Sequence, residues 1–255
     1  MTSVPDLLKR ARAVVDGAHH QAVDVEGTTD ELIGLLVSPD PRTRESAAHT
    51  LGDRPGDGAA TALRRLVTDP DSRVRTAAVV ALVRQGDGAL LVEVARALRH
   101  REPAVVAGAA RVLGHIADKR AIPNLIEAFQ SQDVRVGAAA AWALGEHGDP
   151  AVAPWLLAAC EHGFCVSACL AALARLGEQR TVALALAVID DDDADVRRAA
   201  CRSLGRLGAR SALVALEARA RDEDARVRLA AAISLYEIDE RSEALEAAVS
   251  SIEGS

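Results

Sequence analysis

The stretch RVRTAAVVALV, residues 73–83, occurs in seven related versions along the chain. The other six are RTRESAAHTLG (42–52), AVVAGAARVLG (104–114), RVGAAAAWALG (135–145), FCVSACLAALA (164–174), DVRRAACRSLG (195–205) and RVRLAAAISLY (226–236). Their shared leucines, from Leu51 to Leu235, are 31 residues apart, except for one step of 29 residues between Leu144 and Leu173. A fixed period of this length indicates a repeat protein.

A second apolar run follows each version after a short glycine-containing break, such as GEHGD (145–149). Asp71 and its equivalents Asp193 and Asp224 stand three residues before a valine of the first run, where a carboxylate can cap a helix. Pro123 and its equivalent Pro154 fall in the first turn of the second run, where a missing N–H is tolerated. The predicted unit is therefore a helix, a glycine-containing turn and a second helix.

Such a unit is too small to bury its own apolar stripe, so neighbouring units must stack. The predicted fold is all-α, a right-handed α-α superhelix (solenoid) of about seven 31-residue repeats plus a worn N-terminal repeat. We expect a single domain over 1–255, with an N-terminal capping repeat at 1–38, regular repeats at 39–236 and a C-terminal cap at 237–255.

The N-terminal capping repeat is predicted to hold two helices. The first lies near 5–16, and the second is TTDELIGLLVS (28–38). Thr29 is expected to open this second helix, with Asp30 and Glu31 favourably placed in its first turn.

The composition excludes several classes of protein. The 255 residues are 49% hydrophobic but only 2% aromatic, and 30 basic against 37 acidic residues give a net charge of −7. An acidic chain with few rings lacks the basic footprint and the stacking platform of a nucleic-acid binder. No apolar run approaches the roughly 18 residues of a membrane span. We therefore expect a cytoplasmic protein that binds neither nucleic acid nor membrane.

The repeated columns VRxxAAxxLG and LGD resemble the short HEAT-like repeats of bilin (phycocyanobilin) lyase subunits and of many bacterial scaffold proteins. The resemblance covers about 39–250. It implies an armadillo-type α-solenoid in which the second helices line the concave face. It does not fix an activity, because one fold hosts many functions.

The regular pattern weakens towards the middle of the chain. An arginine in the first helix recurs at four equivalent positions in the outer repeats: Arg44, Arg75, Arg197 and Arg228. The middle repeats carry Val106, Gly137 and Val166 instead, and the 29-residue step lies in the same region. The centre, near 100–190, is therefore a candidate functional region. The alternative is that these repeats have simply drifted.

The outward stripe of the second helices is the candidate binding surface. Its predicted members are Trp155, Leu184, His162, Glu93, Arg96, His100, Asn124 and Glu127. Trp155 and Leu184 would bind an apolar side chain or ligand, while Glu93, Arg96, Asn124 and Glu127 would orient its polar end. The alternative is that Trp155 tucks sideways against a neighbouring helix.

Metal chemistry has weaker support. His115 and Glu146 occupy one register a repeat apart, and His147 follows, so these three side chains are the only metal candidates. The favoured interpretation of these residues is a polar turn. The run DDDD (190–193) lacks the ligand spacing and glycine of a calcium loop and is interpreted as a solvated turn.

The segment CEHGFCVSAC (160–169) holds three of the four cysteines. By register, Cys160, Cys165 and Cys169 replace apolar residues of other repeats, and Cys201 lies in a small-residue column. We therefore expect buried free thiols rather than a zinc or redox site.

Two functions remain open. The favoured one is a non-catalytic scaffold or adaptor that binds a protein or peptide on the concave face, with no cofactor. The alternative, implied by the resemblance, is a bilin-lyase-like or other small-molecule-handling subunit that binds a flat apolar ligand in the groove. No nucleophile, phosphate loop or dinucleotide motif favours another enzyme class.

Overall fold

The structure is a computed structural model that describes residues 25–67, 69–239 and 247–248. Within these residues the regular elements are fourteen α-helices and three single-turn 3₁₀ helices, with no strand. The α-helices are α1 (Thr29–Leu35), α2 (Pro41–Gly52), α3 (Asp57–Leu66), α4 (Ser72–Arg84), α5 (Gly88–Ala97), α6 (Pro103–Ile116), α7 (Ile122–Phe129), α8 (Val134–His147), α9 (Ala153–Glu161), α10 (Val166–Arg175), α11 (Thr181–Ala187), α12 (Ala194–Arg206), α13 (Leu213–Arg219) and α14 (Ala225–Asp239). The 3₁₀ helices Lys119–Ala121, Pro150–Val152 and Arg210–Ala212 lead into α7, α9 and α13.

The chain divides into two compact units within α8. The N-terminal unit is His20–Ala143, and the C-terminal unit contains the chain from Leu144 onward. In the N-terminal unit, α4 packs between α2 and α6, and in the C-terminal unit α12 packs between α10 and α14. The shorter helices pack against the helices that follow or precede them in sequence. Each unit is therefore a stack of helix pairs, as the repeat predicts.

The repeated leucines form the core of both units. Leu51, Leu82 and Leu113 are buried in the N-terminal unit, and Leu173 and Leu204 are buried in the C-terminal unit. Burying a leucine contributes about 2 kcal/mol. A row of them along the first helices therefore holds each stack together.

Aspartates cap the first helices at the predicted places. Asp71 accepts the N–H of Arg73 at 2.8 Å, Asp193 that of Asp195 at 2.8 Å, and Asp224 that of Arg226 at 2.7 Å. The side-chain and backbone bonds from Arg73 lower the pKa of Asp71 to about 2. The carboxylates thus satisfy N–H groups that have no partner inside the helix.

Glycine has two separate positions in the repeat. Gly148 and Gly208 lie in turns with φ of 65° and 62°, which agrees with the predicted glycine-containing turn. Gly145 and Gly205 lie instead inside α8 and α12 and face the next first helix. A Cβ on Gly205 would stand 2.9 Å from Ser234 Cα, and one on Gly145 would stand 2.9 Å from Ala172 Cα. The glycine of the LG pair therefore serves close helix packing.

Two of the recurring arginines tie consecutive repeats together. Arg44 donates two bonds to Asp69, both at 2.9 Å, and Arg197 donates two to Asp222 at 3.0 and 2.9 Å. Arg197 also donates to the carbonyl of Asp191 at 2.8 Å. The spacing that defines the outward stripe of the second helices includes Asp69 and Asp222, which would therefore be exposed on that surface. They are instead buried, because each meets an arginine 25 residues earlier.

The first described helix, α1, begins at the predicted opener Thr29, but the residue before it is the cap. Thr28, not Thr29, is the N-cap of α1, and its hydroxyl and the Glu31 side chain form a reciprocal capping box. The predicted helix near 5–16 lies outside the described residues, as does most of the predicted cap at 237–255. None of the described helices is long and apolar enough to cross a membrane.

Candidate binding surface

Trp155 lies on α9 at the predicted outward position in the C-terminal unit. Asp149 accepts the N–H of Ala151 at 3.0 Å and starts the 3₁₀ turn that leads into this helix. Leu156 and Leu157, which follow Trp155 in sequence, are buried. Trp155 itself exposes 44% of its surface. The helix thus anchors itself through the two leucines and leaves the tryptophan side chain partly exposed to solvent.

The next second helix places Leu184 at the equivalent position. Leu184 is half-buried and packs against the core of the C-terminal unit, and α9 contacts α11. Leu184 therefore offers only part of its side chain to a ligand.

A second exposed column, one residue before the Trp155 column, is apolar in α5, α7, α9, α11 and α13 but polar at Thr61 in α3. Pro154, Ala183 and Val214 occupy it in the C-terminal unit, and Val214 is 80% exposed. Val92 and Pro123 occupy it in the N-terminal unit. The predicted stripe does not include this column, because it takes only the positions at spacing i, i+3 and i+7 that start at Trp155 and its equivalents. Comparison of the residues one position earlier in each repeat identifies the column.

His100 lies at a turn rather than on a helix face. Its Nδ1 accepts the N–H of Glu102 at 3.1 Å. Asp69, in the same register, accepts the N–H of Asp71 at 2.9 Å, and Asp222 accepts that of Asp224 at 2.9 Å. His100 is therefore a capping side chain of the inter-repeat turn as well as an exposed one.

The predicted polar residues of the N-terminal unit are mostly exposed. Glu93, Arg96 and Glu127 are exposed, and Asn124 is half-buried. Arg99 pairs with Glu127 at 2.9 Å. Glu127 and His100 also line one depression of about 420 Å³, floored by apolar side chains such as those of Leu98 and Val136. That these residues share one groove with Trp155 stays a prediction.

His162 is exposed at the C-terminal end of α9. Its N–H bonds to the carbonyl of Ala158 at 3.1 Å, which closes the last turn of the helix. The imidazole thus lies on the same helix as Trp155, about two turns further along.

The three metal candidates have other contacts. In the N-terminal unit, the exposed His115 ring lies 4.9 Å from the Trp142 ring at a tilt of 60°. In the C-terminal unit, Glu146 pairs with Arg175 at 2.9 Å, and His147 is buried. No group of three or more His, Cys, Asp or Glu side chains that could hold a metal ion occurs in the described part of the chain.

Most of the sequence matches a model of HEAT repeats. Three consecutive matches cover 5–86, 90–164 and 167–252. The chain belongs to the HEAT-repeat family. No curated protein matches the chain in sequence.

Two solved structures show the same fold. The CpcE and CpcF complex of phycocyanin lyase from Nostoc sp. PCC7120 aligns with a TM-score of 0.50 and 23% identity, over 92% of this chain and 97% of that chain. The Escherichia coli protein YibA aligns with a TM-score of 0.50 and 17% identity, over 100% of this chain and 98% of that chain. At these identities the likeness shows the α-solenoid fold alone.

One HEAT repeat of the C-terminal unit begins irregularly, at the cysteine segment. In the other repeats the residue equivalent to Cys165 is the third residue of the first helix, as Val196 is in α12. Here α10 begins only at Val166, and Cys165 precedes it with φ of 48°. The repeat that is two residues short has therefore lost the first turn of its helix. The prediction that Cys165 is a core side chain is wrong, because this residue is a half-buried N-cap.

The other cysteines of the segment lie side by side. Cys160 Sγ lies 3.9 Å from the carbonyl of Val166, and Cys169 Sγ lies 3.7 Å from that of Phe164. A hydrogen bond between the two thiols lowers the pKa of Cys160 and raises that of Cys169. Cys169 and Cys201 are buried, as predicted, and burial raises the pKa of Cys201 to about 12.

Proposed function

We propose that this HEAT-repeat protein is a non-catalytic scaffold that binds a protein or peptide on its second-helix surface. The observation that supports the proposal is the exposure of Trp155 beside an exposed apolar column. A tryptophan that stays in water in the free protein is a typical interface anchor.

The local geometry favours a partner side chain rather than an internal packing role for Trp155. Leu156 and Leu157 already supply the buried contacts of α9, and Asp149 and Pro150 fix where the helix starts. The indole is therefore carried on a helix whose position is fixed by its own buried contacts. Preorganisation of this kind reduces the entropy that association costs.

The experiment is affinity capture from the source cell with wild-type protein and the Trp155→Ala variant. We expect binding of the captured partner to fall about 30-fold or more, because an interface tryptophan typically contributes 2 kcal/mol or more. The free energy of unfolding should change by about 1 kcal/mol or less, since much of the side chain is already in water.

Val37→Ala is the matched control. Val37 is 84% exposed and follows α1, outside the predicted site, so its truncation should leave capture unchanged. Equal capture by wild type and Trp155→Ala would contradict the proposal.

The alternative function is a bilin-lyase-like or other small-molecule-handling subunit. Its support is the fold that this chain shares with a phycocyanin lyase subunit, together with the small residues around Trp155. Incubation of the purified protein with bilin or haem distinguishes the two. A bound chromophore with a shifted absorbance band that Trp155→Ala abolishes would favour the alternative, whereas the scaffold proposal predicts no such band.

A further inference from the structure

Two thiols of the cysteine segment lie in contact across the turn between α9 and α10. Cys160 is in the last turn of α9, Cys169 is the fourth residue of α10, and their side chains share a hydrogen bond. Each sulfur atom also contacts a carbonyl of the same short stretch of chain, Cys160 Sγ that of Val166 at 3.9 Å and Cys169 Sγ that of Phe164 at 3.7 Å. The two thiols and this turn therefore form one compact cluster.

The repeat explains why these two side chains meet. By register, Cys160 replaces Ile189 of the next repeat, and Cys169 replaces Ala200. Ile189 and Ala200 are both buried in the core of the C-terminal unit, where each second helix packs against the first helix that follows it. The two thiols thus occupy a core contact of the solenoid, and the packing of α9 on α10 holds them together.

The two thiols differ in exposure and in acidity. Cys169 is buried, whereas Cys160 is half-buried, although the sequence predicts both as core side chains. The hydrogen bond from Cys169 stabilises the thiolate of Cys160 and lowers its pKa, while the same bond and burial raise the pKa of Cys169. The thiolate is the nucleophilic form of cysteine, and oxidation follows thiolate character and exposure. Cys160 is therefore the reactive thiol, with Cys169 as its neighbour in the core.

We propose that Cys160 and Cys169 are a redox site, which a peroxide converts into an intramolecular disulfide. First, an electron pair of the Cys160 thiolate attacks one oxygen of hydrogen peroxide, the O–O bond breaks, and the departing hydroxide takes up the proton that the thiol had released. The sulfur of Cys169 then attacks the sulfur of the Cys160 sulfenic acid, the S–O bond breaks, and the second hydroxide leaves with the proton of Cys169. Two thiols and one peroxide thus give one disulfide and two molecules of water.

The disulfide would join the end of α9 to the first turn of α10. An S–S bond of about 2.05 Å requires little movement of two sulfur atoms that already share a hydrogen bond. Because α9 also carries Trp155, oxidation would cross-link the helix of the proposed binding surface to the next repeat. The redox site does not depend on the scaffold proposal, since neither thiol belongs to that surface.

The test treats the reduced full chain with a small excess of hydrogen peroxide and then alkylates the remaining thiols in denaturant. Glutamyl endopeptidase cleaves after Glu161 and so separates Cys160 from the other thiols of the segment. Mass spectrometry should find the peptide that ends at Glu161 linked to the peptide that carries Cys169, and dithiothreitol should separate the two. Cys201 should stay reduced, because it is buried and its pKa is raised to about 12.

Three variants assign the disulfide. Cys165→Gly removes the third thiol of the segment and suits the left-handed backbone at this position, so the disulfide should form as in the wild type. Cys169→Ala introduces the residue that neighbouring repeats carry here, such as Ala200, and should therefore fold. It should form no disulfide and should leave a Cys160 sulfenic acid that dimedone traps. Cys201→Ala is the matched control and should behave like the wild type.

The pH dependence of the alkylation of Cys160 by iodoacetamide tests its pairing with Cys169 separately. The rate follows the thiolate fraction, so its midpoint should lie below the value of about 8.5 for an ordinary cysteine. Cys169→Ala should move this midpoint to higher pH, because it removes the hydrogen bond that stabilises the thiolate. Four reduced thiols after peroxide treatment, a disulfide that Cys165→Gly abolishes, oxidation of Cys201 as fast as that of Cys160, or an unchanged midpoint in Cys169→Ala would each overturn the proposal.

Discussion

Two neighbouring first helices of the C-terminal unit, α10 and α12, begin in different ways. α12 begins at Ala194 behind the cap Asp193, and Arg197 ties its first turn to Asp222. α10 begins at Val166, which is the equivalent of Arg197, behind a cysteine in a left-handed conformation. In α10 both the arginine and the first helical turn are therefore absent.

The irregular start adjoins the helix that presents Trp155. α9 ends at Glu161, and the turn through Gly163 and Cys165 returns the chain to α10. In this turn, thiols contact backbone carbonyls, whereas the regular turn is stabilised by an ion pair between arginine and aspartate. The candidate surface therefore lies beside a turn that lacks the arginine tie.

The largest change in stability should come from removing the ion pair between Arg197 on α12 and Asp222. Asp222→Asn leaves the buried Arg197 without its counter-charge and should lower the free energy of unfolding by about 3–5 kcal/mol. Urea unfolding measures this loss.

Asp191→Asn is the matched control for the irregular repeat. Asp191 has the register of Asp222, but Val166 stands where its arginine would be. The loss should be within about 0.5 kcal/mol, as for surface substitutions. Equal losses in the two variants would contradict the difference between the two turns.

Acid should weaken the ion pairs Arg44–Asp69 and Arg197–Asp222 before it affects the irregular turn, which has no such pair. Burial alone would raise the pKa of Asp222, but the bonds from Arg197 and the N–H of Asp224 bring it below its ordinary value. The bonds from Arg44 likewise lower the pKa of Asp69. A carboxylate with a lowered folded-state pKa stabilises the fold above its unfolded-state pKa of about 3.9, and this stability is lost as pH falls below it.

Melting temperature against pH measures this effect. The wild type should lose stability as pH falls from about 4, and Asp222→Asn should show a shallower loss over the same range. Identical slopes would show that the tie does not contribute.

The smallest effect should be a gain at the irregular turn. Cys165→Gly removes a side chain from a left-handed conformation that costs about 1–2 kcal/mol, offset by the greater freedom of glycine when unfolded. We expect a net stabilisation of about 0.5 kcal/mol by thermal or urea unfolding. Asp193→Gly, at the regular N-cap of α12, should destabilise by a few tenths of a kcal/mol. A loss in both variants would mean that Cys165 contributes contacts that outweigh its backbone strain.

The sequence predicts the features that recur in every repeat. It misses the features that depend on a contact between distant residues or on a local change in repeat length. The leucine column and the caps Asp71, Asp193 and Asp224 follow from one pattern read seven times. The burial of Asp222 does not, because the arginine that it contacts lies 25 residues earlier in the sequence. The left-handed Cys165 also escaped prediction, since a length difference of two residues does not say which turn of the helix is lost.

The candidate surface was likewise predicted only in part from the sequence. The outward position of Trp155 follows from helical spacing, whereas the exposed column of Pro154, Ala183 and Val214 lies one residue off the spacing that was used.

The most direct test of the account is the fluorescence of Trp155 on partner binding. Trp142→Phe leaves Trp155 as the single tryptophan of the chain. Titration of this variant with the partner captured by the wild type should move the emission to shorter wavelength, because the exposed indole leaves water. Saturable binding with no change in the emission of Trp155 would contradict the account.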